Sequence, residues 1–460
     1  MFKESLYDTI AASATAIGES GIGIVRLSGN DALKIADKIF LPKDGCKPSD
    51  FKTYTTHYGW VADNGKIIDE VILTVMRSPK SYTKENVVEI NCHGGIVAMR
   101  AVLDLVLAKG ARLAEPGEFT KRAFLNGRID LTQAEAVLDI IRAKTDTALK
   151  IGTEQLRGAF SQEITALRKN LLETLCVLEA NIDFPEEEIS AADLKKISQD
   201  LKETDAKIIS LIQSAKTGKL LREGIHVVIC GRPNVGKSSL LNALLKQERS
   251  IVTAVAGTTR DTIEEIVDIK GIPVRIVDTA GIIEPKDLVE KKAIQRTKIQ
   301  IDLADLVILL FDGSKKLHPD DSVLMRKLKN KTTVAVINKM DLKQAIEKKK
   351  LAKNFTHPIE ISAKGAKNIN LLEEQIAALV YKGKVLAKET FMLGNLRHAQ
   401  VLRKAEKLVA EAINSLDNKL SLEFIAQGIK DALLHLDDIL GKNCSEDLLN
   451  KIFSEFCIGK

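Results

Sequence analysis

The nine residues at 231–239, Gly-Arg-Pro-Asn-Val-Gly-Lys-Ser-Ser, constrain the fold of this chain more than any other stretch. They match G-x-x-x-x-G-K-[ST], a loop whose backbone N–H groups surround phosphate oxygens at the start of a helix. The apolar run at 225–230 predicts a buried strand before the loop, and the run at 239–245 predicts a helix after it. A glycine-containing turn can match the motif by chance, but here strand, loop and helix follow in the order that phosphate binding requires.

Four further motifs follow the phosphate loop in chain order. They are Thr-Ala-Val-Ala-Gly-Thr-Thr at 253–259, Asp-Thr-Ala-Gly at 278–281, Asn-Lys-Met-Asp at 338–341 and Ser-Ala-Lys at 362–364. The last three each follow a strand-like apolar run, so the sequence alternates between strands and helices as in a doubly wound parallel sheet. Each motif alone occurs by chance in many chains, whereas five in this order predict a guanine-nucleotide-binding domain.

Each motif has a chemical role in this prediction. Lys237 is expected to reach the β- and γ-phosphates, and the Ser238 hydroxyl to bind Mg²⁺. Asp278 can hold a Mg²⁺-bound water, and the Gly281 N–H can donate to the γ-phosphate. Asp341 can accept two hydrogen bonds from guanine that adenine does not offer, which favours GTP over ATP. The predicted GTP-binding residues are Asn234, Val235, Gly236, Lys237, Ser238, Ser239, Thr253, Ala254, Val255, Ala256, Gly257, Thr258, Thr259, Asp278, Thr279, Ala280, Gly281, Asn338, Lys339, Asp341, Ser362, Ala363 and Lys364.

GTP hydrolysis in this chain cannot use the water-orienting glutamine that Ras-like enzymes place just after the third motif. Ile282 and Ile283 occupy that stretch. Other groups must then stabilise the charge of the transition state. The candidates are the 253–259 loop, a monovalent cation held by Asn234, and the carboxylates Glu284, Asp287 and Glu290. The alternative for Asn234 is a plain turn residue, since asparagine suits loops.

The rest of the chain surrounds this α/β block with two helical stretches. The sequence predicts an N-terminal α/β domain at 1–120, the first half of a helical domain at 121–222, a G domain at 223–382 and the second helical half at 383–460. We expect the G domain to be inserted into one helical domain whose halves pack together, because domains are commonly inserted at loops. The alternative is two independent helical domains.

Composition narrows the class of protein. The chain has 460 residues, 45% of them apolar and 28% charged, which is typical of globular proteins with large cores. Six cysteines without a C-x-x-C pair, and an N-terminus without an apolar signal segment, predict a cytoplasmic location. The longest apolar run, at 306–311, is too short to span a membrane, which argues against a membrane-transport GTPase. The net charge of +6 permits contact with nucleic acid without demonstrating it.

At the level of whole motifs the chain resembles the MnmE (TrmE) family of tRNA-modification GTPases, a branch of the TrmE-Era-EngA-like GTPases. The resemblance rests on the phosphate-binding motifs and on the segments 21–26, 91–95, 115–119, 257–261 and 456–460, the last being Phe-Cys-Ile-Gly-Lys. It implies an α+β multidomain fold: an N-terminal α/β tetrahydrofolate-binding domain, a discontinuous helical domain and an inserted Ras-like G domain. It also implies a K⁺-dependent GTPase that dimerises through its N-terminal domains.

The resemblance further implies a heterotetramer with the flavoprotein MnmG. Together the two proteins would add a carboxymethylaminomethyl or aminomethyl group to C5 of the wobble uridine of certain tRNAs. The carbon would come from 5,10-methylene-tetrahydrofolate, for which 5-formyl-tetrahydrofolate is an analogue.

Ligand and catalytic residues follow from the same resemblance. The implied K⁺ ligands are Asn234, Thr253, Val255 and Thr258, the Mg²⁺ ligands Ser238 and Thr259, and the folate ligands Arg26, Glu89, Arg128 and Lys460. The implied catalytic residues are Lys237, Glu290, which would orient the attacking water, and Cys457, which would take part in the modification. Taken without the family, the folate ligands read as ordinary surface or strand-end residues, and Cys457 as a small residue on a packed tail.

A second class of function has similar nucleotide motifs: a ribosome-assembly GTPase that acts as a binding switch. Such proteins usually carry a KH domain or a second G domain. This sequence has one phosphate loop, no G-x-x-G loop in its C-terminal helices and roughly 220 residues before the G domain. These features favour a tRNA-modification GTPase over a ribosome-assembly GTPase.

Overall fold

The structure is a computed structural model, and it describes residues 8–43, 45–184, 190–247, 264–278, 299–355, 357–381 and 393–460. The strands are β1 (Ile10–Ser13), β2 (Gly23–Ser28), β3 (Phe40–Pro42), β4 (Thr55–Asp63), β5 (Lys66–Met76), β6 (Val87–Cys92), β7 (Arg112–Leu113), β8 (Ile225–Cys230), β9 (Glu264–Ile269), β10 (Ile272–Asp278), β11 (Leu306–Asp312), β12 (Thr333–Asn338) and β13 (Ile359–Glu360).

The helices are α1 (Ala32–Ile39), α2 (Ile96–Ala108), α3 (Glu118–Leu125), α4 (Leu131–Arg142), α5 (Asp146–Leu156), α6 (Ala159–Asp183), α7 (Ala191–Glu223), α8 (Lys237–Gln247), α9 (Pro319–Lys327), α10 (Lys348–Ala352), α11 (Ile369–Tyr381), α12 (Leu396–Asp417), α13 (Leu422–Leu440) and α14 (Glu446–Ser454). A short 3₁₀ turn lies at Pro48–Asp50.

The chain divides into two compact units, each built from separate stretches of sequence. Unit 1 consists of Met1–Leu138, Gln155–Arg168 and Leu434–Lys460, and unit 2 of Asp139–Glu154 and Lys169–Leu433. The predicted domain limits at 120, 222 and 382 remain a prediction.

In the described part of unit 1, seven strands form one sheet in the order β3-β4-β5-β6-β2-β1-β7. All pairs are antiparallel except β1 with β7. Val71, Leu73 and Val75 alternate along β5 and point into the core, where α1 and α2 cover the sheet. This period-two pattern leaves the other face of the sheet for polar side chains. Arg26 and Glu89 lie on that second face, at paired positions of β2 and β6.

Among the described residues of unit 2, six strands form a second sheet in the order β13-β12-β11-β8-β10-β9. It is parallel except for the β9–β10 hairpin. β11 and β12 are buried almost throughout because one hydrophobic cluster covers each face of the sheet. This is the predicted Ras-like G-domain sheet, and it places the carboxyl ends of β8, β11 and β12 side by side.

Helices of unit 2 come from both sides of the G-domain sequence. α7 precedes the sheet in the chain, α12 follows it, and the two pack against each other. The prediction that a G domain interrupts one helical domain is therefore confirmed, and the alternative of two independent helical domains is wrong. Within the described residues, no helix is both long and apolar enough to cross a membrane.

Candidate functional site

The phosphate loop runs from the end of β8 to the first residue of α8. Gly236 has a φ of 100°, and a Cβ at this position would lie 2.3 Å from Asn338 Nδ2. The loop therefore accepts only glycine here, because any side chain would both strain the backbone and collide with Asn338. The loop leads directly into the N-terminus of α8, and a loop of this kind forms a cradle that suits an anion.

Lys237 is held over this cradle. Its Nζ donates to the carbonyl oxygens of Gly231 and Arg232, each at 3.0 Å, and the side chain is buried. Ser238 follows on the exposed side of α8, where its hydroxyl can bind a cation next to the phosphates. A positive charge, the loop amides and a hydroxyl in this order fit a nucleoside triphosphate with Mg²⁺.

Asn338 joins the base-recognition motifs to the phosphate loop. Its Nδ2 donates to the carbonyl oxygen of Val235 at 2.9 Å, and its Oδ1 accepts from the Ala363 N–H at 2.9 Å. The neighbouring Lys339 donates from Nζ to the Asn234 carbonyl oxygen at 2.8 Å and to Asp312 Oδ2 at 2.7 Å. Three motifs that are far apart in sequence therefore form one hydrogen-bonded unit.

Asp341 projects from this unit with an exposed carboxylate. The hydroxyl of the buried Ser362 donates to Asp341 Oδ1 at 2.6 Å. This hydrogen bond, above all, lowers the pKa of Asp341, so the carboxylate is ionised at neutral pH and acts only as an acceptor. The structure thus gives the Ser-Ala-Lys motif a side-chain role through Ser362.

Several predicted residues of the nucleotide site lie outside the described residues. These are Thr253, Ala254, Val255, Ala256, Gly257, Thr258, Thr259, Thr279, Ala280, Gly281 and Glu290. The backbone of Asp278 is described: it ends β10 and pairs in register with Ile229 of β8, just before the phosphate loop.

A second constellation lies in unit 1 around Arg26. Its Nε and Nη2 both donate to Glu89 Oε1, at 2.8 and 2.7 Å, and its Nη1 donates to the Gly459 carbonyl oxygen at 3.3 Å. The guanidinium carbon lies 5.9 Å from the ring centre of Tyr82 and 5.7 Å from that of Phe119. Both distances are within the range of cation–π attraction.

Tyr82 connects Arg26 to the third predicted ligand. The guanidinium carbon of Arg128 lies 4.7 Å from the Tyr82 ring centre, and the Tyr82 hydroxyl pairs with Thr120 Oγ1 at 2.9 Å. Burial raises the pKa of this hydroxyl, so Tyr82 stays neutral. Sequence reasoning missed Tyr82, since a single tyrosine outside a motif carries no signal of its own.

The C-terminal tail closes this constellation. Gly459 has a φ of 93°, and a Cβ there would lie 2.1 Å from the Ser13 carbonyl oxygen. The Gly117 N–H donates to the Cys457 carbonyl oxygen at 3.4 Å, and the Cys457 side chain is exposed. The structure thus brings Arg26, Glu89, Arg128 and the backbone next to Lys460 into one neighbourhood. Their role as folate ligands, which the resemblance implies, stays a prediction.

A charge network also involves α3, the helix that carries Phe119 and Thr120. Arg122 is fully buried and bonds Asp8 Oδ1 at 2.5 Å, Glu118 Oε1 at 3.0 Å and both oxygens of Glu85 at 3.3 Å. Arg112 bonds Glu118 and Asp8 as well. Burial alone would raise the pKa of Glu118, but the hydrogen bond from Arg112 and the charge of Arg122 lower it. The network anchors α3. This helix carries Phe119, one of the two aromatic rings that lie near the Arg26 guanidinium.

A family model described as "MnmE helical domain" matches residues 131–457, and one described as "GTP-binding protein TrmE N-terminus" matches residues 9–128. The tRNA modification GTPase MnmE of Clostridioides difficile (strain 630) is 47% identical over 455 residues, covering 98% of this chain and 99% of the relative. That of Alkaliphilus metalliredigens (strain QYMF) is 45% identical over 459 residues, covering 99% and 100%.

The solved structures that are similar to this chain cover a smaller part of it. Era of Aquifex aeolicus bound to GDP and AlF₄⁻ is 29% identical, with a TM-score of 0.29, over 40% of this chain and 66% of that chain. The G domain of the T. maritima FeoB iron transporter is 26% identical, with a TM-score of 0.26, over 33% and 96%.

Proposed function

Because this chain belongs to the MnmE family of tRNA modification GTPases, we propose that it carries out a K⁺-dependent, folate-using modification of the tRNA wobble uridine. Family membership makes the chain a GTP hydrolase that acts in tRNA modification and binds GTP and Mg²⁺. The finer proposal is that it adds a carboxymethylaminomethyl or aminomethyl group to C5 of that uridine, together with a flavoprotein partner.

The observation that carries the folate part is the Arg26 constellation of unit 1. A 5,10-methylene-tetrahydrofolate bound there would supply the one-carbon unit. Glu89 offers a carboxylate to the amino-pyrimidine edge of a pterin, and Arg26 holds that carboxylate through two hydrogen bonds. Tyr82 presents an aromatic ring, while Arg128 and Lys460 supply positive charge for an acidic folate tail. This set of groups suits a folate in charge and in hydrogen bonding.

Substituting Arg26 by alanine is expected to weaken binding of 5-formyl-tetrahydrofolate at least tenfold. The change removes two hydrogen bonds to Glu89, leaves that carboxylate without its cation and opens the space between two aromatic rings. Hydrogen bonds to charged groups contribute about 1.5–3 kcal/mol each. Titration calorimetry or fluorescence quenching of the full chain measures the change.

The matched control is Arg100→Ala, which removes an exposed arginine of α2 in the same unit. It should bind the folate as the unsubstituted chain does. Equal affinities for the Arg26→Ala and Arg100→Ala proteins would contradict the placement of the site. Failure of the unsubstituted chain to bind the folate at all would contradict the folate proposal itself.

The K⁺ proposal rests on Asn234 and on the missing glutamine. Asn234 has a φ of 61°, which exposes its side chain at the tip of the phosphate loop, and Lys339 holds its carbonyl oxygen. With isoleucines at 282 and 283, a cation bound by Asn234, Thr253, Val255 and Thr258 would supply the charge that an arginine supplies elsewhere. Mg²⁺ would be held by Ser238 and Thr259. We further propose that Glu290 orients the attacking water.

Phosphate release from GTP is expected to be at least tenfold faster in K⁺ than in Na⁺ at equal ionic strength. A group that stabilises the charge of the transition state lowers the activation free energy by about 3 kcal/mol. Even if Na⁺ supplies part of this stabilisation, the difference in rate between the two salts stays large. Asn234→Ala should lose the K⁺ response with little change in GTP affinity, while Asn242→Ala, on the exposed side of α8, should keep it. Equal rates in the two salts would remove the cation from the mechanism.

The partners follow from the family. We propose a homodimer formed through the N-terminal domains, a heterotetramer with the flavoprotein MnmG, tRNA as the substrate and a cytoplasmic location. Cys457 supports the tRNA chemistry, because its exposed thiol lies on the tail segment whose carbonyl groups bond Gly117 and, at Gly459, Arg26. We propose that this exposed thiol takes part in the modification.

A further inference from the structure

Positive charge is concentrated in one stretch of the G domain. Residues 315–367 contain fourteen Lys and Arg but five Asp and Glu, a net charge of +9. The whole chain has a net charge of +6, so the remainder of the chain is net negative. Charge clustered in this way creates a positive electrostatic potential over one part of the surface. The net charge of the whole chain does not show this clustering.

The fold gathers much of this charge on one surface. α9 and α10 lie on the same face of the six-stranded sheet, where Leu328, just after α9, and Leu351 of α10 are buried in one hydrophobic cluster. Because the apolar side chains of both segments face the sheet, their lysines project to solvent. Lys327, Lys349 and Lys353 are all exposed.

A surface groove of about 440 Å³ lies between α9 and α10. One side is formed by Glu347, Lys350, Lys353 and Asn354, and the other by Leu317, His318, Pro319, Ser322 and Met325. We call this the α9–α10 groove. Two lysines and one carboxylate line the α10 side, and neutral hydrogen-bonding groups lie on both sides.

Nearby carboxylates compensate only part of the charge. Lys348 pairs with Glu360 at 2.5 Å, and Lys350 pairs with Glu347 at 2.9 Å. Among the described residues, no carboxylate lies within 4.0 Å of Lys349 or Lys353. Lys353, which lines the groove, and the neighbouring Lys349 are thus uncompensated cations that an anionic partner would neutralise.

We propose that the α9–α10 groove binds the phosphate backbone of tRNA. The inference depends on the tRNA-modification activity and not on the folate or K⁺ proposals. Lysine is a point-charge ligand for phosphate, and Ser322, His318 and Asn354 can add hydrogen bonds to phosphate or ribose. The core of a protein–protein interface is typically rich in Tyr, Trp, Phe, Met and Arg and poor in Lys and Glu. Of the enriched types the groove has only Met325, and it has both of the depleted ones. The polyanion that this groove fits is therefore RNA.

The test is a triple variant, Lys349→Ala, Lys350→Ala and Lys353→Ala, compared with a control triple, Lys195→Ala, Lys196→Ala and Lys404→Ala. The control removes the same charge from exposed positions on α7 and α12. Affinity for unmodified tRNA transcript is measured by fluorescence anisotropy between about 50 and 200 mM KCl, with GDP bound throughout. We expect about tenfold weaker binding at low salt for the groove triple and a small change for the control. The slope of log K against log salt should become shallower by about two, since each lost phosphate contact accounts for roughly 0.7–0.9.

Two results would overturn the proposal. One is equal tRNA affinity and salt slope for both triples. The other is binding of polyglutamate by the unsubstituted chain as tightly as tRNA, with the same dependence on the three lysines, which would indicate an acidic protein partner. Intrinsic GTP hydrolysis at the unsubstituted rate confirms that a variant is folded. Lys353→Glu is the single-site alternative, and it should weaken tRNA binding more than Lys353→Ala does.

Discussion

Replacing Asp341 by asparagine is expected to weaken GTP binding by more than a hundredfold and to create binding of xanthosine triphosphate. The Asp341 carboxylate is ionised and exposed, and it is oriented by the hydroxyl of Ser362. It can accept from both the N1–H and the 2-amino group of guanine. Asparagine presents one acceptor and an N–H group that opposes the 2-amino group. Hydrogen bonds to charged groups contribute about 1.5–3 kcal/mol each, so losing the pair costs about 3 kcal/mol or more.

Binding of xanthosine triphosphate distinguishes a change in base recognition from a general loss of the folded structure. It carries a carbonyl oxygen where guanine has the 2-amino group, so the asparagine amide can donate to that oxygen and accept from N1–H. Titration with fluorescent GTP and xanthosine triphosphate measures both affinities. Asp320→Asn, an exposed carboxylate of α9 in the same unit, is the matched control and should leave both unchanged. If Asp341→Asn kept its preference for GTP, the base would have to be read by other groups.

Ser362→Ala separates the orienting role of the hydroxyl from the charge of Asp341. This variant keeps the carboxylate but removes the hydrogen bond that mainly lowers its pKa. GTP affinity should fall by about tenfold, the effect of one hydrogen bond to a charged group.

The sequence predicts best those strands whose residues are nearly all buried, because a short apolar run then marks the whole strand. β11 and β12 are continuous apolar runs because both faces of their sheet are covered. β4 was missed: in Thr-Thr-His-Tyr-Gly-Trp-Val-Ala-Asp only Gly59, Val61 and Ala62 are buried, and the strand owes its place to pairing with β5 and β3. Strand propensity is weak wherever pairing with distant residues decides the outcome.

The same distinction holds for the sites. The nucleotide site follows from motifs because phosphate and base are bound by short loops that immediately follow strands. The Arg26 constellation needed a family resemblance, since Arg26 and Gly459, which bond each other, are separated by 433 positions. Tyr82 and the network around Arg122 were not predicted at all. Nothing near either residue in sequence indicates which distant groups it contacts.

Substituting Arg122 by methionine is expected to destabilise unit 1 by about 3–5 kcal/mol, the usual cost of removing one partner from a buried ion pair. Methionine fills a similar volume but leaves Glu85, Glu118 and Asp8 with one cation fewer in a buried site. Trp60, in β4, is the only tryptophan of the chain, so its fluorescence reports the unfolding of unit 1 separately. The urea midpoint of this signal should fall markedly. Arg100→Met, at an exposed position of α2, should leave it unchanged.

The pH dependence distinguishes loss of the ion pairs from loss of packing. The pKa values of Asp8 and Glu118 are lowered in the folded chain from 3.8 and 4.5, because hydrogen bonds and charges from Arg112 and Arg122 outweigh the effect of burial. A carboxylate with a depressed pKa stabilises the fold above its unfolded pKa, and this contribution is lost as the pH falls through the folded pKa. The unsubstituted chain should therefore lose stability steeply below about pH 4, and the gap to Arg122→Met should narrow there. A gap that stayed constant from pH 7 to pH 3 would assign the whole effect to packing and rule out the charge network as its cause.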